Sequence, residues 1–176
     1  MKRYLTIFVF IVVCFLLQTT LFTSLQIANL VPNLILVVTV SAGLLYGRKA
    51  GMFAGVICGL LVDLLYGSVV GVSVLMFTVI GYGCGAASKL YFEDDLIVPL
   101  AAIAASDFVY GLLYYALHFL LRGRLHLLFY IRSIILPEMI YTVIVGALLF
   151  WLLRLIDRKL HPPVEVPLHP KKPFED

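Results

Sequence analysis

Residues 47–71 read GRKAGMFAGVICGLLVDLLYGSVVG, and this stretch decides how the chain must fold. Asp63 is the only charged residue among the 39 residues that separate Lys49 from Lys89. A single helix of that length would measure about 58 Å, roughly twice the thickness of the hydrocarbon core of a bilayer. The stretch is therefore predicted to fold back on itself as a helical hairpin that breaks around Gly67 and Gly71.

The composition of the whole chain indicates a membrane protein. Of its 176 residues, 62% are hydrophobic and only 13% are charged, and the mean hydropathy is +1.06. A soluble domain usually has about a quarter of its residues charged, and a disordered chain has low hydrophobicity with a high net charge. The net charge here is +3, so both of these classes are excluded.

The apolar runs between the charges predict an all-α integral membrane domain over residues 1–156. A transmembrane helix needs about 20 mainly apolar residues. Six such spans are predicted, at about 4–23, 30–46, 50–66, 69–88, 96–121 and 133–153. Residues 157–176 contain five of the eight prolines, which predicts an extended, basic cytoplasmic tail.

The placement of lysine and arginine predicts that both termini lie in the cytoplasm. With that orientation, ten of these residues are on the inner side and three, Arg122, Arg124 and Arg132, are on the outer side. The segment 119–131 is amphipathic, so it is expected either to lie along the outer interface or to dip back into the membrane.

Glycine recurs at every fourth position of the third span, at Gly51, Gly55 and Gly59. Residues four apart share one face of a helix, so these glycines form a groove that another helix can approach closely. Packing within the same chain is the first expectation, because six spans must pack against one another. An interface with another protein is the alternative.

Three acidic residues, Asp63, Asp107 and Glu138, fall inside the predicted spans. An ionised carboxylate at the bilayer centre costs about 2.5–3.5 kcal/mol, so each is expected to face the bundle interior, to be protonated or to be paired. Arg132 is the expected partner for Asp63 or Glu138 if the role is structural. A proton-linked or ligand-binding role is the alternative.

The remaining features point away from catalysis. Pro32 and Pro137 interrupt the outer ends of two spans, where they are expected to bend or break the helix. The chain contains no HExxH, GxGD, GxSG or Walker motif and no basic face for nucleic acid. The four histidines have no metal-ligand spacing. We therefore expect no enzymatic activity, no cofactor, no metal and no nucleic acid. Three cysteines lie in apolar spans and are expected to be packing residues: Cys14, Cys58 and Cys84.

The order of these motifs resembles the family of the rod shape-determining protein MreD along the whole chain. The resemblance rests on Val31-Pro32-Asn33, on Arg48-Lys49, on the glycine run that ends in Leu60-Leu61-Val62-Asp63-Leu64-Leu65, and on Ile135-Leu136-Pro137. It supplies no catalytic residue. It implies structural or interaction roles for Pro32, Gly51, Gly55, Gly59, Asp63, Gly67, Gly71 and Pro137.

The resemblance implies a multi-pass protein of the bacterial cytoplasmic membrane that serves the cell-wall elongation complex as a scaffold. Such proteins associate with MreC, and through it with RodA, a class B penicillin-binding transpeptidase and MreB. The groove of Gly51, Gly55 and Gly59 is one candidate contact for the transmembrane helix of MreC. The basic inner loop and tail are expected to face anionic membrane lipid or MreB.

The family fold is similar to the six-helix substrate-binding components of energy-coupling-factor transporters. This similarity leaves an alternative function, a small-molecule, vitamin-type binding subunit of a transporter. Those subunits generally dock their coupling partner through an Ala-x-x-x-Ala surface in the first span, whereas residues 4–23 contain neither alanine nor glycine. The sequence thus favours the scaffold.

Overall fold

The computed structural model describes residues 2–22, 31–67, 70–90, 96–118 and 127–160, and every regular element within these ranges is helical. The α-helices are α1 (Lys2–Leu17), α2 (Leu34–Tyr46), α3 (Arg48–Tyr66), α4 (Val72–Ala86), α5 (Ile97–His118), α6 (Leu127–Tyr130) and α7 (Leu136–Leu160). One π-helical turn, Gln18–Phe22, extends α1, and a second, Ile131–Ile135, joins α6 to α7. A 3₁₀ turn, Ala87–Leu90, follows α4.

The apolar helices lie at the six positions where spans are predicted, but they differ in length. Within the described ranges, three are long and apolar enough to cross a membrane: Arg48–Tyr66, Ile97–Leu117 and Leu128–Asp157. Three are shorter: Leu5–Thr20, Leu34–Tyr46 and Val72–Ala87. The shortest, α2, is only about 20 Å long, so it cannot cross the hydrocarbon core unaided.

The last helix is longer at both ends than the predicted sixth span. It starts as α6 at Leu127 instead of near residue 133, and α7 continues to Leu160, inside the segment that was predicted to be tail. The first proline of the tail is Pro162, and proline disfavours the helical conformation at the residue before it, which still allows a helix as far as Leu160. Residues 119–126 and 161–176 lie outside the described residues, and so do the predictions made for them.

Helix α2 forms the centre of the bundle. Its residues from Leu34 to Leu44 are all buried, and α1, α3, α4, α5 and α7 contact it. A helix that is apolar on every side belongs in an interior, which agrees with the sequence LILVVTVSAGLLY. Its two buried hydroxyl residues, Thr39 and Ser41, donate hydrogen bonds to carbonyls one turn earlier in the same helix.

The two ends of the bundle are named here after one residue at each. The Gly71 end contains the C-terminal part of α1, the start of α2 and the turn between α3 and α4. The Arg48 end contains the turn between α2 and α3, the end of α4 and the C-terminal part of α7. At the Arg48 end the Tyr46 hydroxyl donates a 2.7 Å hydrogen bond to the Asp157 carboxylate.

The glycine face of α3 packs directly against the backbone of α4. A Cβ atom added to Gly51, Gly55 or Gly59 would come closer than 3.0 Å to backbone atoms of α4. The backbone neighbours are Gly81 for Gly51, Phe77 for Gly55, and Val74 for Gly59. These glycines therefore allow the two helices to touch along the hairpin, which is the packing within one chain that was expected first.

Because α4 fills this groove, a partner helix cannot lie in it. The candidate contact between the MreC helix and Gly51, Gly55 and Gly59 is therefore wrong. The reason is geometric: the sequence identifies a face that needs a close neighbour, and the next helix in the chain already provides that neighbour.

We expect Gly55→Ala to destabilise the protein by about 1–3 kcal/mol, the usual cost of overpacking, because the new methyl group would overlap the carbonyl of Phe77. The matched control is Gly83→Ala in α4, where an added Cβ meets nothing within 4 Å. The measurement is thermal unfolding of the two purified variants in detergent. Equal unfolding temperatures for both variants would contradict the close α3–α4 contact.

Candidate functional site

Asp63, near the C-terminal end of α3, caps the start of α4. Its carboxylate is buried and accepts hydrogen bonds from the backbone N–H groups of Gly71 (2.6 Å), Ser73 (3.1 Å) and Val74 (3.3 Å). The first N–H groups of a helix have no partner within the helix. Asp63 supplies that partner and also places a negative group at the positive end of the α4 dipole.

The glycines of the turn set the geometry of this cap. Gly71 has φ = +114°, a left-handed conformation that glycine adopts without a steric penalty. Gly67 donates its N–H to the carbonyl of Asp63 at 3.0 Å, and a Cβ there would lie within 3.0 Å of the Asp63 backbone. Both glycines therefore let the chain turn tightly enough for Asp63 to reach α4.

The expected pairing of Asp63 with Arg132 is wrong. Arg132 has an exposed side chain on the second π turn and forms no ion pair with Asp63 or Glu138, both of which are described residues. The three N–H groups at the start of α4 already donate hydrogen bonds to both carboxylate oxygens of Asp63. A sequence search for a cationic partner could not find them, because backbone groups carry no sequence signature.

The start of α2 is a second helix terminus buried in the bundle. The Asn33 side chain accepts the N–H of Leu36 at 3.2 Å. The Gln18 side chain, from the π turn at the end of α1, accepts the N–H of Ile35 at 3.2 Å. Side chains from two separate segments therefore satisfy backbone donors that would otherwise be unpaired in an apolar interior.

Pro32 and Thr142 complete the start of α2. Pro32 is buried, and its carbonyl accepts the N–H of Leu34 at 3.0 Å. The N–H of Asn33 donates to the hydroxyl of Thr142 in α7 at 3.1 Å, and Thr142 is fully buried. Pro32 thus lies just before the start of the central helix and does not bend it. The hydrogen bond to Thr142 connects the start of that helix to α7.

Asp107 of α5 lies beside this helix start. Its side chain is only 4% exposed and is hydrogen-bonded with the side chains of Thr142 and Asn33. Glu138 lies one turn before Thr142 on α7, is half-buried, and is near enough to Asp107 to interact electrostatically. The two intramembrane acids that seemed unrelated in the sequence are therefore neighbours.

Tyr110 connects the two capped helix starts. Its hydroxyl is hydrogen-bonded with the side chain of Ser73 at the start of α4, and its ring packs on Phe77 with centroids 5.0 Å apart. We call the connected group the polar layer. Its members are Asn33, Asp63, Ser73, Asp107, Tyr110, Glu138 and Thr142.

Pro137 follows the second π turn, next to the polar layer. Proline has no N–H to donate, so a carbonyl in the preceding turn loses its usual partner. The N–H of Leu136 bonds to the carbonyl of Ile131, five residues earlier. This wider turn accommodates the proline in a continuous helix, so the structure shows a local change of pitch where the sequence predicts a bend or break.

The chemistry available to the polar layer is mainly that of hydrogen bonding between helices. Within the part of the chain that the structure describes, no group of three or more His, Cys, Asp or Glu side chains is placed to hold a metal ion. The three cysteines are buried and unpaired as disulfides. The polar layer sets where α2 and α4 begin, and of its members the sequence pointed to the three acids and to Asn33.

The contributions of Gln18, Ser73, Tyr110 and Thr142 were missed by sequence analysis. Each is a hydrogen-bonding residue inside or beside an apolar run, which is the one signal that could have identified them. Other hydroxyl residues in apolar runs, such as Ser41 and Thr78, donate to a carbonyl of their own helix instead. Sequence alone cannot separate these two groups.

Comparison with known proteins identifies one family. The family model described as "rod shape-determining protein MreD" matches residues 1–160. Searches of curated proteins and of solved structures gave no match. The match covers every helix described above.

We expect Asp63→Ala to destabilise the protein by about 2 kcal/mol or more, because it removes the acceptors of three backbone N–H groups at a buried helix start. Asp63→Asn keeps one acceptor oxygen and should lose less than half as much. Thermal unfolding of the purified variants checks this order. If Asp63→Asn lowered the unfolding temperature as much as Asp63→Ala, the stabilisation would depend on the charge of Asp63. The hydrogen-bond geometry of the cap would then not explain its role.

We expect Thr142→Val to cost about 1–3 kcal/mol, because it leaves the buried N–H of Asn33 without its acceptor and removes a hydrogen bond from the Asp107 side chain. The matched control is Thr78→Val, since the Thr78 hydroxyl donates only to the carbonyl of Val74 in its own helix. Both substitutions replace a hydroxyl by a methyl group of similar size, and burying that methyl group favours Thr142→Val, so a larger loss at Thr142 is due to its hydrogen bonds. A larger loss for Thr78→Val would contradict the assigned role of Thr142.

Proposed function

Because the chain belongs to the MreD family of rod shape-determining proteins, we propose that it is a non-enzymatic membrane scaffold of the bacterial cell-wall elongation complex. Membership implies a part in rod shape determination, and the family match over residues 1–160 is the observation that carries the proposal. The scaffold role adds that the chain acts by binding other membrane proteins and thereby influences peptidoglycan synthesis.

The proposed direct partner is the transmembrane helix of MreC, with RodA, a class B penicillin-binding transpeptidase and MreB reached through MreC. Because α4 fills the glycine groove, the contact with MreC is proposed to lie on the outer faces of the bundle. Large apolar side chains are exposed on α1, α3, α4, α5 and α7, whereas α2 is enclosed. A partner helix would therefore lie on one of those five helices, in competition with lipid.

The polar layer supports a scaffold over the alternative of a vitamin-type binding subunit. Its side chains bond to helix starts and to one another, as Asp63 does with α4 and Thr142 does with Asn33. Groups used in this way hold the bundle together and are not available to orient a ligand. The similarity to substrate-binding components of energy-coupling-factor transporters stays a proposal, supported by the six apolar helices.

We also propose that the Gly71 end faces the outside of the cell and that both termini lie in the cytoplasm. The support is the distribution of exposed cations at helix ends: Arg48, Lys49 and Lys89 lie at the Arg48 end. Positive residues remain on the cytoplasmic side during membrane insertion.

Site-specific photocrosslinking in cells tests the proposed contact with MreC. A photoreactive phenylalanine analogue is placed at one exposed apolar position on each outer helix: Val9, Leu64, Leu75, Phe108 and Leu148. We expect a crosslink to MreC from one face, and rounding of rod-shaped cells when that face is changed to block binding. The control is the same set of variants in cells that lack MreC.

Two results would overturn the proposal. One is the absence of any MreC crosslink from all five faces when every variant is present at normal levels in the membrane. The other is specific vitamin uptake by membranes that contain the chain without MreC, which would favour the transporter subunit.

A further inference from the structure

The Arg48 end carries a compact group of exposed cations on the α3–α4 hairpin. Arg48 and Lys49 begin α3, and Lys89 lies in the 3₁₀ turn after α4, all with exposed side chains. A Cβ on Gly85 would lie within 3.0 Å of the Arg48 backbone. The end of α4 and the start of α3 are therefore in contact, which places the three cations at the same end of the hairpin.

The Arg48 side chain is oriented by an aromatic ring. The carbon at the centre of its guanidinium group lies 5.5 Å from the centroid of the Tyr82 ring, within the range of a cation–π interaction. Tyr82 is itself 47% exposed. The stacked guanidinium keeps its N–H donors directed to the surroundings, the arrangement that binds phosphate through two hydrogen bonds at once.

An exposed apolar strip runs from these cations toward the Gly71 end. On α3 the residues of the strip lie one, two and three turns after Arg48. On α4 they lie about one and two turns before Tyr82. Because the Arg48 guanidinium lies over the Tyr82 ring, the α3 part and the α4 part of the strip begin next to each other. Its members are Met52, Val56 and Leu60 on α3, and Val79 and Leu75 on α4, each 40–68% exposed.

We propose that this surface binds an anionic phospholipid. The phosphate group lies against Arg48, Lys49 and Lys89, and the acyl chains lie along the apolar strip. Arg48 and Lys49 start one of the three helices long enough to cross a membrane, so they are at the depth of lipid headgroups. A cation near the membrane surface strengthens the attraction of anionic lipid by about fivefold, which corresponds to about 1 kcal/mol.

A phospholipid and free phosphate both offer a phosphate group to the cations, and the apolar strip is the feature that favours the phospholipid. Free phosphate would use the cations alone and gain nothing from about 15 Å of exposed apolar helix surface. This lipid site is a property of the chain itself and does not depend on the proposed binding of MreC. The experiment below therefore omits MreC, and its result is independent of the scaffold proposal.

Native mass spectrometry of the purified full chain, titrated with phosphatidylglycerol or with phosphatidylcholine of the same acyl chains, tests the site. The test variant is Arg48→Gln/Lys49→Gln. The matched control is Arg132→Gln, which removes an exposed cation away from the Arg48 end. We expect phosphatidylglycerol to bind the unaltered chain and the control more tightly than phosphatidylcholine, and the double variant to lose about thirtyfold in affinity, about fivefold for each cation removed.

A third arm adds inorganic phosphate at millimolar concentration, which should leave lipid binding nearly unchanged. Equal affinity for both lipids, an equal loss in the Arg132→Gln control, or complete displacement by inorganic phosphate would each overturn the proposal. Thermal unfolding in zwitterionic detergent confirms that the double variant is folded. If it is not, Lys49→Gln alone takes its place, with an expected loss of about fivefold.

Discussion

The structure depends on satisfying backbone N–H groups at two helix starts that are buried in an apolar bundle. Neither lipid nor a neighbouring apolar side chain can accept a hydrogen bond, and each unsatisfied donor costs several kcal/mol in such surroundings. Helix α4 begins on the carboxylate of Asp63, and α2 begins on the side chains of Asn33 and Gln18. These contacts join α3 to α4 and the end of α1 to α2, all at the Gly71 end.

The buried start of α2 also explains why a 13-residue helix can occupy the centre. Its first turn is enclosed by neighbours, and Thr142 and Asp107 add hydrogen bonds from α7 and α5. The longer helices around it supply the length needed to cross the membrane. The central helix is therefore a packing element, and its two hydroxyl residues are satisfied within the helix itself.

Much of the hairpin could be predicted from the sequence. The 39-residue run with one charge required a reversal, and glycines four apart required a close neighbour on one face of α3. The structure supplies both, at Gly71 and along α4. Asp63 could be recognised as important because a lone carboxylate in an apolar run needs a compensating contact. The nature of that contact could not be recognised, since its donors are backbone groups and not an arginine.

The sequence by itself determined that the chain is helical, that it belongs in a membrane, and which helix faces and which acids need partners. Those results follow from composition and helical period, which act locally along the chain. Only the tertiary structure decided the partners: α4 in the glycine groove, backbone N–H groups on Asp63, and Asn33 and Thr142 beside Asp107. The reason is physical. A single residue, such as a glycine or a buried carboxylate, can show that a close contact or a hydrogen bond is needed. The group that provides it is whichever one the packing of distant helices places within reach.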